Sequence, residues 1–544
     1  MFHRTMLASV VLLTLGLSAS LYAGEVRGFR NDGTGVFPDA DPPIEWGPGK
    51  HEVWSTDLGG GLHSSPVLIG DKIITAVEPF SLICLSAKDG KVLWNTSHDL
   101  WKDVLSKEEA SKAKKLAGEA GPWTKQILDL EQVIRDAGKP TPSKEYADKT
   151  PEQCAAIVRA AYAKVAELML PKNRPAGLRW VNLSRIHGDA GSAPATPVTD
   201  GKYVYMVFGN GLGICCELET GKRVWHAKLA GEYGYQDHGT AGPSPALAGD
   251  TVVFRFGHWI YGLKTSDGTE VWEHRDSEQW HRQGATSFST PLVVHIDKTP
   301  VVITLAGQFI RASDGKMLAD LDLYVNIYGG AEMVASPVVD KGVVYFPVDT
   351  RRGPDGRLVA SRPLQGEKLI WKPHYLAVQL PDRINGDTLQ TKILWKTETP
   401  NGFTATSPVV HNGLLYTRDY QCEWLRVFDI RDGSLVYEKK VDWLSNTITV
   451  NALSIAGGNL YINSGKTDRT LVIKTGPEYV EVARNVRGIK KQNLRGWAGG
   501  FGLLYSSSPV FSGTRMYWRE GNMMYCFDKN APSRQAVAGD ESKR

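Results

Sequence analysis

One repeated sequence motif constrains the fold of this chain more than any other feature. Each copy opens with Ser or Thr, a Pro and an apolar run, as in Ser65-Pro66-Val67, and closes with Gly-x-x-x-Trp, as from Gly90 to Trp94. The opening recurs at Thr196, Ser244, Thr290, Ser336, Ser407 and Ser508, with a degenerate copy at Ala452-Leu453-Ser454. Successive prolines are 131, 48, 46, 46 and 71 residues apart, and the last interval of 101 divides into 45 and 56 at Leu453. A period of about 46 residues with two long exceptions predicts eight repeats, two of which carry insertions.

Each repeat contains four short β-rich runs separated by turn residues. In the second repeat the runs are about 195–199, 203–209, 213–219 and 223–228. The joints between them are Asp200-Gly201, Gly209-Asn210-Gly211 and Thr220-Gly221, which is turn chemistry between strand-forming segments. Four strands in each of eight repeats predict an all-β fold, an eight-bladed β-propeller.

The two ends of the repeated region indicate how such a ring closes. The last repeat ends at 524–528 without a Gly-x-x-x-Trp strand, whereas a spare β-rich run, 51–56, precedes the first repeat. An N-terminal strand that completes the last blade would leave no open sheet edge. We therefore expect Trp54 to lie on the outer strand of blade eight.

The closing motif resembles the tryptophan-docking repeat of pyrroloquinoline quinone (PQQ) propellers, most clearly at 85–94, 216–225 and 263–272. In that family the tryptophan of one blade stacks on the glycine-containing segment of the next. The resemblance implies this blade-docking role for Trp54, Trp94, Trp225, Trp272 and Trp395.

Later copies depart from the motif, because Ala319 follows Gly315, Tyr437 follows Gly433 and Val480 follows Gly476 where Trp is expected. The resemblance covers about 50–530. It implies the fold rather than one function, since the same repeat serves quinoprotein dehydrogenases of the alcohol dehydrogenase type and BamB-type outer-membrane assembly scaffolds.

The regions outside the repeats lead to predictions about the chain's organisation and location. Residues 1–23 have the pattern of a secretory signal peptide, 24–50 an extended N-terminal arm, 51–530 the propeller and 531–544 a disordered tail. The apolar run of the signal is too short to cross a membrane, and no cysteine follows it as a lipid anchor. We expect an exported protein, either periplasmic or secreted to the extracellular space, with no transmembrane segment.

Two insertions interrupt the period, at about 101–170 and 349–372. The first is predicted to be helical, because Ser106 with Glu109 and Thr150 with Gln153 form two capping-box patterns. It joins the outer strand of blade one to the inner strand of blade two, so we expect it to form a partial lid on that face. The second insertion emerges on the same face.

The candidate site residues fall in the segments just before the inner strands, which should converge at one mouth of the central channel. Loops on a rigid scaffold commonly hold the ligand. The predicted ligand-binding residues are His63, His187, Asp189, Tyr235, Asp237, His238, His281, Arg282, Glu332, Asn401 and Trp497. Imidazole and carboxylate suit a divalent metal or acid–base catalysis, but the spacing matches no metal motif. The sequence therefore assigns no catalytic residue and no metal ligand. The alternative to a binding site is a water-filled channel whose polar side chains hold no ligand.

Six cysteines include the adjacent pair Cys215-Cys216. The resemblance to PQQ alcohol dehydrogenases implies a vicinal disulfide here, and export would permit it. The alternative is that both are strand residues whose side chains point to opposite faces.

Three functions remain open. We favour an exported binding or scaffold module that holds a small-molecule, glycan or protein ligand on one propeller face, because the family motif present is structural. A net charge of +4 without a basic block argues against nucleic acid. The second interpretation is a PQQ-dependent oxidoreductase with Ca²⁺, for which Asp237, Glu332, Asn401, Arg282 and Trp497 are of suitable types. The third is a quinone-free enzyme built on the histidines of the mouth.

Overall fold

A computed structural model describes residues 24–61, 64–137, 142–169, 173, 193–229, 242–256, 259–275, 289–321, 323, 335–348, 351–352, 370–371, 374–399, 406–419, 424–444, 452–464, 469–486 and 507–533. Two strands precede the first blade, β1 (Val36–Phe37) and β2 (Glu52–Asp57). Both pair with blades at the other end of the chain.

The described strands form eight blades of four antiparallel strands, one for each repeat, and β1 adds a fifth, parallel strand to the sheet of blade seven. Blades one to four are β3 (Val67–Ile69), β4 (Lys72–Val77), β5 (Ser81–Ser86) and β6 (Val92–Ser97); β7 (Val198–Thr199), β8 (Tyr203–Val207), β9 (Leu212–Glu217) and β10 (Arg223–Lys228); β11 (Ala246–Ala248), β12 (Thr251–Phe256), β13 (Trp259–Lys264) and β14 (Glu270–Arg275); β15 (Leu292–Ile296), β16 (Thr299–Ile303), β17 (Gln308–Arg311) and β18 (Met317–Asp320).

Blade five contains an additional small hairpin, which is inserted between its second and third strands. Blades five to eight are β19 (Val338–Asp340), β20 (Val343–Val348), β23 (His374–Gln379) and β24 (Lys392–Glu398), with the hairpin β21 (Arg351–Arg352) and β22 (Ile370–Trp371) inserted; β25 (Val409–His411), β26 (Leu414–Arg418), β27 (Trp424–Asp429) and β28 (Leu435–Lys440); β29 (Ser454–Ala456), β30 (Asn459–Asn463), β31 (Arg469–Lys474) and β32 (Val480–Val486); β33 (Val510–Ser512), β34 (Arg515–Glu520), β35 (Met523–Asp528) and β2. The predicted eight-bladed propeller is confirmed.

The ring closes through the N-terminal strand. β2 pairs antiparallel with β35, and Trp54 lies opposite Cys526. Blade eight is thus built from both ends of the repeated region, as the spare run 51–56 predicts, and its outer edge is occupied.

A ring of hydrogen bonds explains the hydroxyl residue that opens each repeat. In seven successive steps the backbone N–H of this residue in one blade donates to the hydroxyl at the same position in the next, over 2.9–3.2 Å: Ser65 to Thr196, Thr196 to Ser244, Ser244 to Thr290, Thr290 to Ser336, Ser336 to Ser407, Ala452 to Ser508, and Ser508 to Ser65. The step from Ser407 to Ala452 has no such bond, because alanine carries no hydroxyl. The repeat therefore needs a hydroxyl here to satisfy a buried N–H of the neighbouring blade.

The tryptophans of the closing motif pack between blades. The ring of Trp94 lies over Gly221 of the next blade, where an added Cβ would come within 2.6 Å of the indole, and the φ of +69° also favours glycine. Trp94 Nε1 donates to Leu218 O over 3.0 Å. The equivalent pairs are Trp54 on Gly90, Trp225 on Gly268, Trp272 on Gly315 and Trp395 on Gly433. Their Nε1 atoms donate in the same way to Ala87, Thr265, Ala312 and Ile430.

Blade seven departs from the predicted spacing. Val480, four residues after Gly476, is 45% exposed. The position that Trp94 takes opposite Cys84 belongs here to Ala483, which lies opposite Val472 at the same register shift. The expectation that Val480 stands in the tryptophan position is therefore wrong, because the docking position of this blade lies seven residues after Gly476, whereas Trp94 lies four residues after Gly90.

Other residues fill the junctions that lack a docked tryptophan. Next to Ala483, Trp46 of the N-terminal arm is buried, with its ring centroid 6.0 Å from that of Trp518. At the junction of blades four and five, where Ala319 replaces Trp, the long turn 380–391 covers β18, and Leu389 N donates to Leu318 O over 2.9 Å.

The N-terminal arm crosses the ring from blade two to blade eight. Thr199 N donates to Arg27 O over 2.9 Å, Arg30 Nη2 donates to Pro408 O, and β1 pairs in parallel with β29. Asp41 N then donates to Gly513 O over 2.8 Å. Because these contacts involve inner strands on opposite sides of the ring, the arm covers this end of the central channel.

The first insertion contains three helices, α1 (Lys107–Glu119), α2 (Gly121–Ala137) and α3 (Pro151–Met169). Both predicted capping boxes are present, at Ser106 and at Thr150. The described contacts place the start of the insertion against the outer strand of blade two, where Arg223 Nη2 donates to Asp103 O over 2.8 Å. They do not place it over the mouth, so the expected lid has no support among the described contacts.

Candidate binding face

The two faces of the ring differ in the length of their connections. The turn face carries turns of two or three residues between first and second strands, such as 70–71, and mostly five residues between third and fourth strands, such as 87–91. The link face carries the segments that join one blade to the next, which span 9 to 23 residues apart from the helical insertion. The second insertion also leaves and re-enters blade five at the link face, between β20 and β23. Because the arm covers the turn face, the link face is the candidate binding face.

All eleven sequence-predicted binding residues lie outside the described residues, in the intervals of sequence between one described blade and the next. These are His63, His187, Asp189, Tyr235, Asp237, His238, His281, Arg282, Glu332, Asn401 and Trp497. The described strand ends show where the chain enters and leaves these segments, as at Leu229 before 230–241. Their convergence on one mouth therefore remains a prediction.

Three arginines that the sequence analysis did not single out occupy equivalent places on this face. Arg255, Arg418 and Arg519 each stand at the fifth residue of a second strand, and each is at most 2% exposed. An arginine at the same position of the second strand in three blades was the signal that could have found them.

Arg418 and Arg519 hydrogen-bond to the next blade. Arg418 Nη1 donates to Asn463 O over 3.0 Å, and Arg519 Nη1 donates to the equivalent carbonyl, Ala76 O. Arg519 Nη2 also donates to Gly60 O over 2.9 Å. Burial lowers the pKa of Arg519 to about 9. These contacts give the rim of the mouth a fixed frame of buried positive charge.

A buried lysine adds to this frame. Lys228, at the end of β10, donates from Nζ to Asn210 O. Burial lowers the pKa of Lys228 to about 7, because an ammonium ion loses its hydration in an apolar surrounding.

The adjacent cysteines are free thiols with different partners. Cys215 lies opposite Tyr205 in the sheet, whereas Cys216 Sγ lies 3.8 Å from His98 Nε2. Burial raises the pKa of Cys215 to about 12 and raises that of Cys216 as well. Because the thiolate is the reactive form, both side chains act here as buried apolar groups, which fits the alternative of two strand residues on opposite faces.

Within the described ranges, no three His, Cys, Asp or Glu side chains are placed to hold a metal ion. Among the same residues, no helix has the length and apolar character needed to span a membrane.

Comparison with known proteins places the repeat in a family context. A family model described as outer membrane protein assembly factor BamB (PQQ_2) matches residues 177–389, which contain blades two to four and most of blade five. A search of curated proteins gives no match.

Several solved structures resemble the chain at low sequence identity. BamB from Moraxella catarrhalis is 11% identical, with 88% of this chain and 98% of that chain covered and a TM-score of 0.45. Quinohemoprotein alcohol dehydrogenase ADHIIG from Pseudomonas putida is 12% identical, with 78% and 72% covered and a TM-score of 0.37. Quinohemoprotein alcohol dehydrogenase from Comamonas testosteroni is 10% identical, with 95% and 82% covered and a TM-score of 0.37.

The family match, together with the eight blades described above, confirms the resemblance predicted from the closing motif: this chain is a β-propeller built from PQQ-type repeats and similar, over residues 177–389, to the BamB family.

Proposed function

We propose that this protein is a binding or scaffold module that holds a protein partner on its link face. The observation that carries the proposal is the asymmetry of the ring. The turn face is covered by the N-terminal arm, whereas the link face carries the long segments between blades and the second insertion. Variable segments on a rigid frame are the usual place for recognition.

A protein partner is the class that the family description supports, because the matched model is named for an assembly factor of outer membrane proteins. The histidines and carboxylates predicted at the mouth, including His238, His281 and Asp237, would contribute the polar contacts of this interface. Histidines with a pKa near 6.5 would make such binding depend on pH between about 5 and 8. A small-molecule or glycan ligand at the same mouth is the alternative within this class.

Export is part of the proposal. The pattern of 1–23 supports a secretory signal peptide, and a scaffold related to outer membrane protein assembly would act outside the cytoplasm. The protein would then be periplasmic or released.

The competing function is a PQQ-dependent oxidoreductase of the alcohol dehydrogenase type. It is favoured by suitable residue types in the link-face segments, namely Asp237, Glu332 and Asn401 for Ca²⁺, Arg282 for the quinone and Trp497 as a floor. All five lie outside the described residues.

Reconstitution separates the two functions. Purified protein is incubated with PQQ and Ca²⁺, passed through a desalting column and assayed for quinone absorbance and alcohol-dependent dye reduction. The binding module is expected to retain no stoichiometric quinone and to reduce no dye. Retained quinone together with dye reduction would overturn the proposal in favour of the oxidoreductase.

A further inference from the structure

Arg30 is a fully buried cation of the N-terminal arm whose side chain enters the ring. Its side chain is 3% exposed, and Nη2 donates to Thr34 O over 3.0 Å and to Pro408 O. The arm thus carries a guanidinium group into the ring, against the start of the inner strand of blade six.

This position coincides with the gap in the hydroxyl ring. Pro408 follows Ser407, and Leu453 follows Ala452, the two residues that the ring fails to join. A Cβ added to Gly35 would lie 2.6 Å from Arg30 Nη2 and 2.9 Å from Leu453 O, so the guanidinium lies close to blade seven as well. Arg30 therefore occupies the junction where one hydroxyl acceptor is missing.

Among the residues that the structure describes, two of the three nitrogens of this guanidinium have no hydrogen-bond partner. These are Arg30 Nε and Nη1, which are both buried. Among the described residues no ion pair involves Arg30, and Asp32, the carboxylate that acts on it electrostatically, accepts hydrogen bonds from Thr34 N and Oγ1. An unpaired buried charge is strongly unfavourable.

Arg519 shows how the same fold treats a buried arginine whose acceptors all lie within the chain. It is as deeply buried as Arg30, yet Nε donates to Gly521 O, Nη1 to Thr75 Oγ1 and Nη2 to Gly60 O. Each nitrogen of Arg519 thus has an acceptor. The contrast indicates that the acceptors of Arg30 Nε and Nη1 are supplied from outside the chain.

We propose that Arg30 forms a site for a small anion, a halide ion or the carboxylate of a small acid, enclosed between the arm and the inner strands of blades six and seven. The free N–H groups of Nε and Nη1 lie on different edges of the guanidinium, so a ligand cannot bridge them as a bidentate fork, and a small anion accepts from one of them. Although burial lowers the pKa of Arg30 to about 9, the group stays positively charged at neutral pH. The bound anion would fix the arm across the channel, independently of whatever the link face binds.

Thermal unfolding of the full chain in different anions tests the site. Wild type, Arg30→Gln and the control Arg27→Gln are titrated with sodium bromide or sodium acetate. Sodium gluconate keeps the total ionic strength constant. Arg27 belongs to the same arm but is partly exposed and already paired with Glu25. The midpoint temperature of unfolding is expected to rise to a plateau with anion concentration in wild type and Arg27→Gln, because binding is linked to folding. The midpoint temperature of Arg30→Gln should stay constant. The same saturating rise in Arg30→Gln, or no rise in wild type, would overturn the site.

Crystals of wild type grown in bromide give a second measurement that does not depend on the folding of the variant. An anomalous peak within hydrogen-bond distance of Arg30 Nε or Nη1 is expected. Density that shows water alone at this position, or no peak, would contradict the proposal. Neither result bears on the proposed function of the link face.

Discussion

The packing of Trp225 between blades two and three gives a quantitative prediction. Its side chain is 8% exposed, its ring lies over Gly268, and Nε1 donates to Thr265 O over 2.8 Å. A buried aromatic side chain removes about 200 Å² from water, worth about 5 kcal/mol at roughly 25 cal/mol per Å². Measured truncations of this kind cost about 3–5 kcal/mol, so we expect Trp225→Ala to lower the free energy of unfolding by that amount.

Two further variants separate the causes. Trp225→Phe keeps most of the packing and loses the Nε1 hydrogen bond, so it is expected to cost about 1 kcal/mol beyond the change in ring size. Trp101 is 45% exposed, and Trp101→Ala should change stability by about 0.5 kcal/mol or less. Urea denaturation followed by circular dichroism, at unchanged m-value, gives these differences. If Trp225→Ala unfolds at the same urea concentration as Trp101→Ala, the assignment of this indole to inter-blade packing is refuted.

Three other predictions test separate parts of the ring. Ser336→Ala removes the acceptor of the buried Thr290 N–H and should lower the free energy of unfolding by about 1–3 kcal/mol, measured by urea denaturation. A smaller decrease than in the exposed control Ser434→Ala would contradict the hydroxyl ring. Burial, assisted by Arg223, lowers the pKa of His98 to about 4, below the unfolded value of about 6.5. The unfolded chain therefore binds the proton first as the pH falls. Between pH 7 and pH 5 the free energy of unfolding of wild type should fall by about 2 kcal/mol more than that of His98→Gln. An equal decrease in both proteins would show that His98 does not cause the pH dependence. Deleting residues 24–57 removes the arm and β2 and should expose the edge of β35, seen as faster proteolysis of blade eight; an unchanged cleavage rate would contradict the closure.

The fold could be predicted because the repeated sequence shows both the length of one repeat and the turns and contacts within each blade. The hydroxyl before each Pro, the glycine under each tryptophan and the turn residues all report contacts that recur in every blade. These contacts act between neighbours of one type, so a single sequence displays them as a pattern.

The exceptions could not be predicted, because they depend on segments outside the repeat. Trp46 lies in the arm, and nothing in its spacing indicates that it covers the junction beside Ala483. The same holds for Arg30, whose place at the gap after Ser407 follows from the path of the arm across the ring. Val480 was misassigned because counting from the glycine assumes that the glycine has the same place in every turn, whereas Gly90 is the fourth of five turn residues and Gly476 the second.

The candidate site was predicted only to the level of a face. The period assigns His238 and Glu332 to segments of the link face, but convergence of their side chains depends on loop conformations that no repeat specifies. The buried Arg519 belongs to the frame of that face and was recognisable only as an arginine at a strand position that recurs in three blades.

Site-specific photo-crosslinking in cells that produce the protein tests the central claim most directly. A photoreactive residue is placed at Lys440, at the link-face end of β28, or at Asp432, in the turn before the same strand on the turn face; both positions are exposed. The account predicts a specific protein adduct from Lys440 and none from Asp432. Adducts from Asp432 alone, or from neither position, would contradict binding of a protein partner at the link face.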